Sequence, residues 1–119
     1  MSKGHLFLFH WNKPEAQTYV DELEKQGWEV DYEWEDGARG GKKVKENPPD
    51  AVVFYHMRFP SHTRATAEYF GQAKSTRQIP LVIVGGEGEA LEKTRKKIPN
   101  GIFISEAELP ATLAKFAKS

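Results

Sequence analysis

The chain has 119 residues, the usual size of one domain, and 39% of them are hydrophobic, so we expect a single globular domain over residues 1–119. Lys plus Arg and Asp plus Glu both number 17, and the resulting zero net charge argues against electrostatic capture of nucleic acid or an anionic membrane. The absence of cysteine excludes disulfides, a thiol nucleophile and thiolate metal ligands, and it fits a reducing, cytoplasmic setting.

The first third of the chain predicts two strands separated by a helix. The apolar run at residues 6–10 predicts a strand over residues 6–9 and is too short for a signal peptide or a membrane span. Pro14 opens a helix in its first turn, and Gly27 ends it as a left-handed cap. Residues 28–34 alternate apolar and acidic side chains, which indicates an edge strand with one charged face.

The segment that follows, residues 36–47, is the weakest helix in the pattern. Gly40 and Gly41 lie in its middle, and each glycine costs roughly 1 kcal/mol relative to alanine in a helix. Val44 is its one large apolar side chain. We therefore predict that the second helix is short, frayed or displaced.

The rest of the chain alternates strands and helices. Strands are predicted over residues 50–55 and 80–84, which are apolar apart from Asp50, as strands covered on both faces are, and residues 101–104 form a fifth apolar run. Helices are predicted over residues 63–75, 89–97 and 110–118, the last with Pro110 in its first turn. Alternating strands and helices in one domain predict a parallel sheet built from βαβ units.

Three local motifs stand at the starts of predicted strands. Gln26-Gly27-Trp28-Glu29-Val30 leads into the second strand, Pro49-Asp50 precedes the apolar run of the third, and Ile79-Pro80 precedes that of the fourth. In this order and spacing they resemble the CheY-like receiver domain of response regulators. The resemblance implies a flavodoxin-like three-layer αβα sandwich, with a five-stranded parallel sheet in the order 2-1-3-4-5.

The resemblance also implies where a phosphorylation site belongs, and the expected groups are missing there. The family holds Mg²⁺ with two acidic residues after strand one and an acceptor aspartate after strand three, and it places a hydroxyl after strand four and a lysine after strand five. Magnesium requires hard oxygen ligands, which apolar groups do not replace. The corresponding positions here are His10, Trp11, Asn12, Tyr55 or His56, Gly85 and Glu106. We expect a pseudo-receiver that binds no Mg²⁺ and uses no cofactor.

The same strand ends permit a second interpretation. If strands one and three are neighbours, His10, Tyr55 and His56 could converge, with His62 and Glu87 nearby, and two imidazoles with a carboxylate suit a transition metal. The alternative is that these side chains fill the volume that an acidic pocket would have occupied. We expect the filled pocket, and we keep a small-ligand or metal-binding sensor as the second hypothesis.

Basic and aromatic side chains mark candidate partner surfaces. One basic cluster lies near residues 39–45 and the other near residues 93–97, and the fifth strand carries Phe103. In receiver domains the surface of helix four, strand five and helix five commonly binds partners, and Arg and aromatic residues are frequent at interface hot spots. The candidate partner-binding residues are Arg58, Phe59, Lys93, Lys96, Lys97 and Phe103. We expect a non-enzymatic two-component signalling module that binds a protein partner or itself without phosphorylation, and that binds neither nucleic acid nor membrane.

Overall fold

The computed structural model describes residues 3–56 and 60–117, and its centre is a parallel sheet in the strand order β2-β1-β3-β4-β5. The strands are β1 (His5–Phe9), β2 (Glu29–Glu33), β3 (Ala51–Tyr55), β4 (Leu81–Val84) and β5 (Ile102–Ile104). The helices are α1 (Lys13–Lys25), α2 (Gly37–Glu46), α3 (Pro60–Gln72), α4 (Gly88–Lys97) and α5 (Leu109–Ala114), and a 3-10 turn (Glu106–Glu108) precedes α5. The predicted flavodoxin-like and CheY-like fold, the strand order and the edge position of β2 are confirmed.

The sheet separates two hydrophobic cores. On one side, which we call the α1/α5 side, apolar residues of α1 and α5 such as Val20 and Leu113 pack on alternate residues of the central strands. On the other side, the α2/α3/α4 side, Val44 and Phe70 pack on the remaining strand residues, with Ile98 at the end of α4. β1, β3 and β4 are covered on both faces, which is why their sequences are apolar runs.

Helix α1 begins and ends at the predicted signals. The Asn12 side chain accepts a hydrogen bond from the backbone N–H of Glu15 at 3.1 Å, so it caps the helix N-terminus. Pro14 lies in the first turn, where its missing N–H is not needed. Gly27 follows the helix with a φ of 104°, a conformation that favours glycine. Trp28, which precedes β2, is buried in the core under α1.

Helix α2 corrects the expectation of an irregular second helix. It runs for 10 residues without a break at Gly40 and Gly41; it is shorter than the 13-residue helices α1 and α3 but it is not frayed. A Cβ atom on Gly40 would overlap the Phe9 ring and lie 3.2 Å from the Glu33 Cβ. Glycine therefore lets α2 approach the sheet closely, and this packing offsets the low helix propensity.

The two remaining differences concern helix ends. Helix α3 lies three residues earlier than predicted, because it begins at Pro60 and ends at Gln72. Helix α5 covers six residues, Leu109–Ala114, so it begins one residue before the predicted start and ends four residues before the predicted end. A 3-10 turn with a Ser105 capping box precedes it. Among the residues that the structure describes, no helix is long and apolar enough to cross a membrane.

Candidate functional site

The strand ends at the carboxyl edge of the sheet are filled with large side chains. His10 and Trp11 follow β1, Tyr55 ends β3 and His56 follows it. His10 is 0% exposed, Tyr55 and His56 are each 1% exposed, and Trp11 is 7% exposed. In an open α/β sheet this edge is the usual place for a ligand or a reaction. Here it is occupied by the protein's own rings.

On the α1/α5 side the filling is an aromatic stack. The Tyr55 ring lies parallel to Tyr19 of α1, with centroids 4.1 Å apart, and it also stacks on His10 at 5.4 Å. Burial raises the pKa of the Tyr55 hydroxyl well above its usual range, and the neighbouring Tyr19, Glu106 and Glu22 raise it further. Burial and Glu106 also raise the pKa of Tyr19 to about 12. Both phenols therefore keep their protons at neutral pH.

On the α2/α3/α4 side Trp11 anchors the β1 exit to α3. Its ring lies 5.6 Å from that of Phe9 and meets His62 edge-on at 5.5 Å. Its indole N–H donates to the Thr63 Oγ1 at 2.9 Å, so that the one polar atom of the buried ring is satisfied. Thr63 is itself 0% exposed, and the pair holds the first turn of α3 against the sheet.

His56 points to the same side and belongs to a hydrogen-bonded group with α4. Its Nε2 lies 2.7 Å from the Thr94 Oγ1, and that hydroxyl lies 3.0 Å from the Ala90 carbonyl, to which it donates. The imidazole is therefore the donor at Nε2. Arg64 adds a longer hydrogen bond from its Nε to the Thr94 Oγ1 at 3.3 Å. Burial lowers the pKa of His56, and the charge of Arg64 lowers it further, so the ring is neutral.

The other side of the His56 ring faces the loop after β4. Its Nδ1 accepts no hydrogen bond from any residue within 3–56 or 60–117. Gly86 has a φ of 88°, and a Cβ atom there would overlap the imidazole. Gly85, at the predicted hydroxyl position, has a φ of 79° and donates its N–H to the Ile104 carbonyl at 3.0 Å. Glycine at position 86 therefore lets the backbone of the loop after β4 pack directly against the His56 ring.

Two further predicted positions, Asn12 and Glu106, make structural contacts. The Asn12 side-chain oxygen is used in capping α1. Glu106 begins the 3-10 turn, where a receiver would carry its lysine, and its side chain reaches the Tyr19–Tyr55 stack.

No three His, Asp or Glu side chains in the described part of the chain could jointly hold a metal ion. His10 and His56 lie on opposite sides of the sheet, so the convergence that the metal alternative required does not occur.

The predicted partner surface is only partly open to solvent. Lys93, Lys96 and Lys97 are exposed on α4, and Lys97 forms a long ion pair with Glu68 at 3.9 Å. Phe103 is half-buried on β5, and the Arg95 guanidinium lies over its ring at 4.9 Å. Arg58 and Phe59 lie outside the described residues. Basic and aromatic groups therefore do occur together on the α4–β5 surface.

Sequence reasoning missed one buried charge, Glu33 at the end of β2. It is 1% exposed and accepts two hydrogen bonds from Arg39, at 2.8 and 2.7 Å, with Lys43 at 3.6 Å. The backbone N–H groups of Glu35 and Asp36 each donate to it at 3.1 Å. Burial alone would raise its pKa, but these hydrogen bonds lower the pKa to about 2. The spacing of Arg39 and Lys43 on one helix face was the available signal, which the charged-edge interpretation of β2 obscured.

The comparison with solved structures agrees with the fold. The chain is similar to a CheY-like receiver domain from Methylobacillus flagellatus, with 18% identity, a TM-score of 0.78, and 97% of this chain and 99% of that one covered. It is similar to the chemotaxis protein CheY4 of Vibrio cholerae, at 12% identity and a TM-score of 0.77 over 97% and 99% of the two chains. The receiver domain of a sensor histidine kinase from Pseudomonas aeruginosa PAO1, which holds magnesium in its active site cleft, has 17% identity and a TM-score of 0.71 over 97% and 98%.

These likenesses establish a shared receiver-domain fold. No protein-family model matches the sequence, and no curated protein matches it. At these identities the fold is shared while the residues at the strand ends are free to differ. The chemistry at the carboxyl edge of this sheet therefore depends on this chain's own side chains.

Proposed function

We propose that this chain is a non-enzymatic, receiver-like signalling module that acts through protein–protein contact without phosphorylation. The observation that carries the proposal is the burial of Tyr55, which is one of the two residues, with His56, that the resemblance places at the acceptor position. It is 1% exposed, it stacks between Tyr19 and His10, and its pKa is raised by burial. A protonated, buried phenol is a poor acceptor for a phosphoryl group and a poor ligand for Mg²⁺.

The neighbouring groups support the same proposal. A phosphoryl-transfer site acts by positioning and by electrostatic stabilisation of oxygen charges. At the equivalent strand ends the described side chains are instead committed to structural contacts: Trp11 to Thr63, His56 to Thr94 and Asn12 to the start of α1. A module without the chemistry keeps the surfaces of the fold, and those surfaces are what a partner would recognise.

The surface we propose for docking combines α4 and β5. Lys93, Lys96 and Lys97 supply positive charge, and Phe103 under Arg95 supplies an aromatic anchor beside it. Charged groups of this kind steer an acidic partner and set specificity, while the half-buried aromatic gives contact area. The other basic cluster is a weaker candidate, because Arg39 and Lys43 already bind the buried Glu33.

The phosphorylation half of the proposal is tested by adding acetyl phosphate, or a beryllofluoride mimic, with Mg²⁺ to the labelled protein. We expect an unchanged amide spectrum, and a magnesium-binding receiver domain handled in parallel should shift strongly. Site-specific shifts at Tyr55 or Gly85 would contradict the proposal.

The docking half is tested by co-purification from the native host. The variant Lys93→Glu/Lys96→Glu should lose a partner that the unmodified chain retains, because both charges lie on α4. Lys42→Glu/Lys74→Glu is the matched control, since it makes the same change in net charge on exposed residues of other segments. Equal loss from both variants would indicate non-specific electrostatic capture and count against the surface.

A second candidate function, a small-ligand sensor, is favoured by an open cleft beside His56. The cleft measures about 370 Å³ and is lined by His56, Pro60, Gly86, Glu87 and Ala90. A ligand that binds the native state raises the melting temperature. Thermal-shift screening with nucleotides and divalent ions should show a reproducible rise if this function holds, and a flat response across the screen would reject it.

A further inference from the structure

In the described part of the chain, His56 makes a hydrogen bond through only one of its two ring nitrogen atoms. Its Nε2 donates to the Thr94 Oγ1 at 2.7 Å, which leaves Nδ1 as the acceptor of the neutral ring. Nδ1 is buried and has no hydrogen-bond partner within residues 3–56 and 60–117. Buried polar atoms are nearly always paired, so this unpaired acceptor is an unusual feature of a buried strand end.

The loop after β4, residues 85–87, covers this nitrogen atom. A Cβ atom on Gly86 would overlap Nδ1, so the backbone of Gly86 lies directly against it. Gly86 and Gly88, with φ values of 88° and 64°, flank Glu87 and adopt a conformation that favours glycine. Because both neighbours lack a side chain, the backbone at Glu87 can reorient at a low steric cost.

Glu87 is not committed to any contact in the closed loop. It lines the cleft of about 370 Å³ beside His56 and is the one acid among the described lining residues. It stands immediately before α4, yet its side chain makes no capping hydrogen bond to that helix. It is exposed and forms no ion pair with a residue that the structure describes. Its carboxylate is therefore available to a new donor in the cleft.

Arg64 of α3 is the other charged group that faces His56 among the described residues. Its Nε donates to the Thr94 Oγ1 at 3.3 Å and its Nη2 to the Ala90 carbonyl at 3.2 Å, so its charge is held close to the imidazole. On α4, Thr94 and Ala90 do not titrate. Protonation of Nδ1 under the closed loop would place a second positive charge beside Arg64, with its new N–H facing Gly86 and lacking an acceptor.

We propose that the loop at residues 85–87 is a proton-controlled switch. In the closed state Gly86 covers the unprotonated Nδ1 of His56, and when Nδ1 takes up a proton the loop moves and the Glu87 carboxylate accepts the new N–H. Glu87 then supplies both the acceptor and the counter-charge that Gly86 lacks. Thr94 keeps its hydrogen bond to Nε2 in both states, so the change is confined to the loop and the first turn of α4.

The direction of the pH dependence follows from the same contacts. In the closed state burial and Arg64 hold the pKa of His56 below its ordinary value of 6.5, whereas pairing with a carboxylate in the open state raises that pKa. The closed loop therefore dominates above pH 6.5, and its population falls as the pH drops below that value. Because one proton is taken up, the ratio of open to closed loop rises by at most about tenfold per pH unit.

The first test follows the isotope-labelled, unmodified chain by NMR from about pH 8 to about pH 5, the range in which histidine ordinarily titrates. We expect His56 to carry its proton on Nε2 at the upper end and to gain the second one with a midpoint below 6.5. Relaxation dispersion at the Gly85, Gly86 and Glu87 amides should grow as His56 protonates. The Trp28 amide, on the α1/α5 side, is the internal control and should stay unchanged.

Two results of that titration would overturn the proposal. One is protonation of His56 without any response of the loop amides. The other is a His56 ring that stays neutral across the whole range. Neither readout involves the α4–β5 docking surface or a ligand in the cleft, so failure of those proposals leaves this one standing.

Replacing the histidine identifies the titrating group. In His56→Gln the side-chain amide can still donate to Thr94 but does not titrate, so the loop dispersion should no longer depend on pH. His62→Gln is the matched control, because it makes the same change at an exposed histidine outside the cleft lining, and it should respond as the unmodified chain does. A pH response that survives in His56→Gln, or that disappears in His62→Gln, would refute the assignment.

Replacing the acid tests the open state without touching the buried ring. Glu87→Gln changes an exposed side chain, so the variant should fold normally, and it should weaken proton binding by His56 about tenfold through loss of a charge-assisted hydrogen bond. Glu89→Gln, exposed in the first turn of α4 but outside the cleft lining, is the matched control and should leave the His56 midpoint unchanged. Equal midpoints in the two variants would contradict the role of Glu87.

Discussion

The two sides of the sheet fill the same edge of the fold by different means. On the α1/α5 side the exits of β1 and β3 are closed by stacked rings, with Tyr55 between His10 and Tyr19. On the α2/α3/α4 side they are closed by directional hydrogen bonds, from Trp11 to Thr63 and between His56 and Thr94. Alternation along a strand explains the division, because Tyr55 and His56 are neighbours in sequence and point to opposite faces.

The two sides of the sheet should therefore respond differently to substitution and to pH. Ring stacking depends on shape and volume, so it is sensitive to truncation. The hydrogen-bonded side carries the titrating groups His56 and Glu33, so its stability depends on protonation. Four substitutions test this contrast.

Truncation of the stack should have the largest effect. Tyr55→Ala removes a fully buried ring and is expected to lower the free energy of unfolding by about 3–5 kcal/mol, through lost burial and the cavity left behind. Urea denaturation measures the change. Tyr69→Ala is the control, because Tyr69 is 45% exposed and its loss should cost far less. If the two substitutions lowered the free energy of unfolding by similar amounts, the stack would contribute no more to stability than an exposed tyrosine does.

Crowding the opposite side should come next. In Gly40→Ala the new methyl group meets the Phe9 ring, so we expect destabilisation of about 1–3 kcal/mol despite the better helix propensity of alanine. Gly71→Ala in α3 is the matched control, since nothing lies within 4 Å of its added Cβ, and it should stabilise by about 0.5–1 kcal/mol. A stabilised Gly40→Ala would show that α2 packs less tightly than described.

Neutralising the buried carboxylate should bring out the pH dependence of the α2/α3/α4 side. Glu33→Gln is expected to cost about 1–3 kcal/mol at pH 7, toward the lower end because Arg39 is 49% exposed. The folded pKa of Glu33, about 2, lies below its ordinary 4.5. Its contribution is therefore present above pH 4.5 and is lost as pH falls toward 2.

Denaturation at several pH values checks that expectation. The unmodified chain should lose stability on acidification more steeply than Glu33→Gln. Glu46→Gln, an exposed residue at the end of α2, should behave as the unmodified chain does. Parallel acid profiles for all three proteins would rule out Glu33 as the source.

Removing the acceptor of His56 should give the smallest change. Thr94→Val keeps the side-chain shape but leaves the Nε2–H of His56 without its partner, at a cost of about 1–2 kcal/mol. Thr94→Ser retains the hydroxyl and should keep the hydrogen bond, visible as an unchanged imidazole resonance of His56. If Thr94→Val and Thr94→Ser were equally stable, packing and not the hydrogen bond to His56 would stabilise this contact.

The order of elements and the parallel sheet were readable from local patterns, while the strand order was implied by the resemblance to receiver domains. Apolar runs with intervening helices predicted a parallel sheet, and both signals bounding α1, Pro14 and Gly27, lie where the helix begins and ends. The missing acidic residues at the strand ends were also legible, because absence from a segment does not depend on packing. The proposed loss of phosphorylation follows from that absence and stays a prediction until it is measured.

Tertiary structure decided the rest, because it depends on contacts between segments distant in sequence. Gly40 looked like a helix breaker until Phe9, 31 positions earlier, was found against it. Glu33 looked like part of a charged edge until α2 covered it and supplied Arg39. The cleft beside His56 exists only because the first turns of α3 and α4 meet there. Periodicity reports which residues are buried, but the identity of a buried residue's neighbours is set by how the helices pack on the sheet.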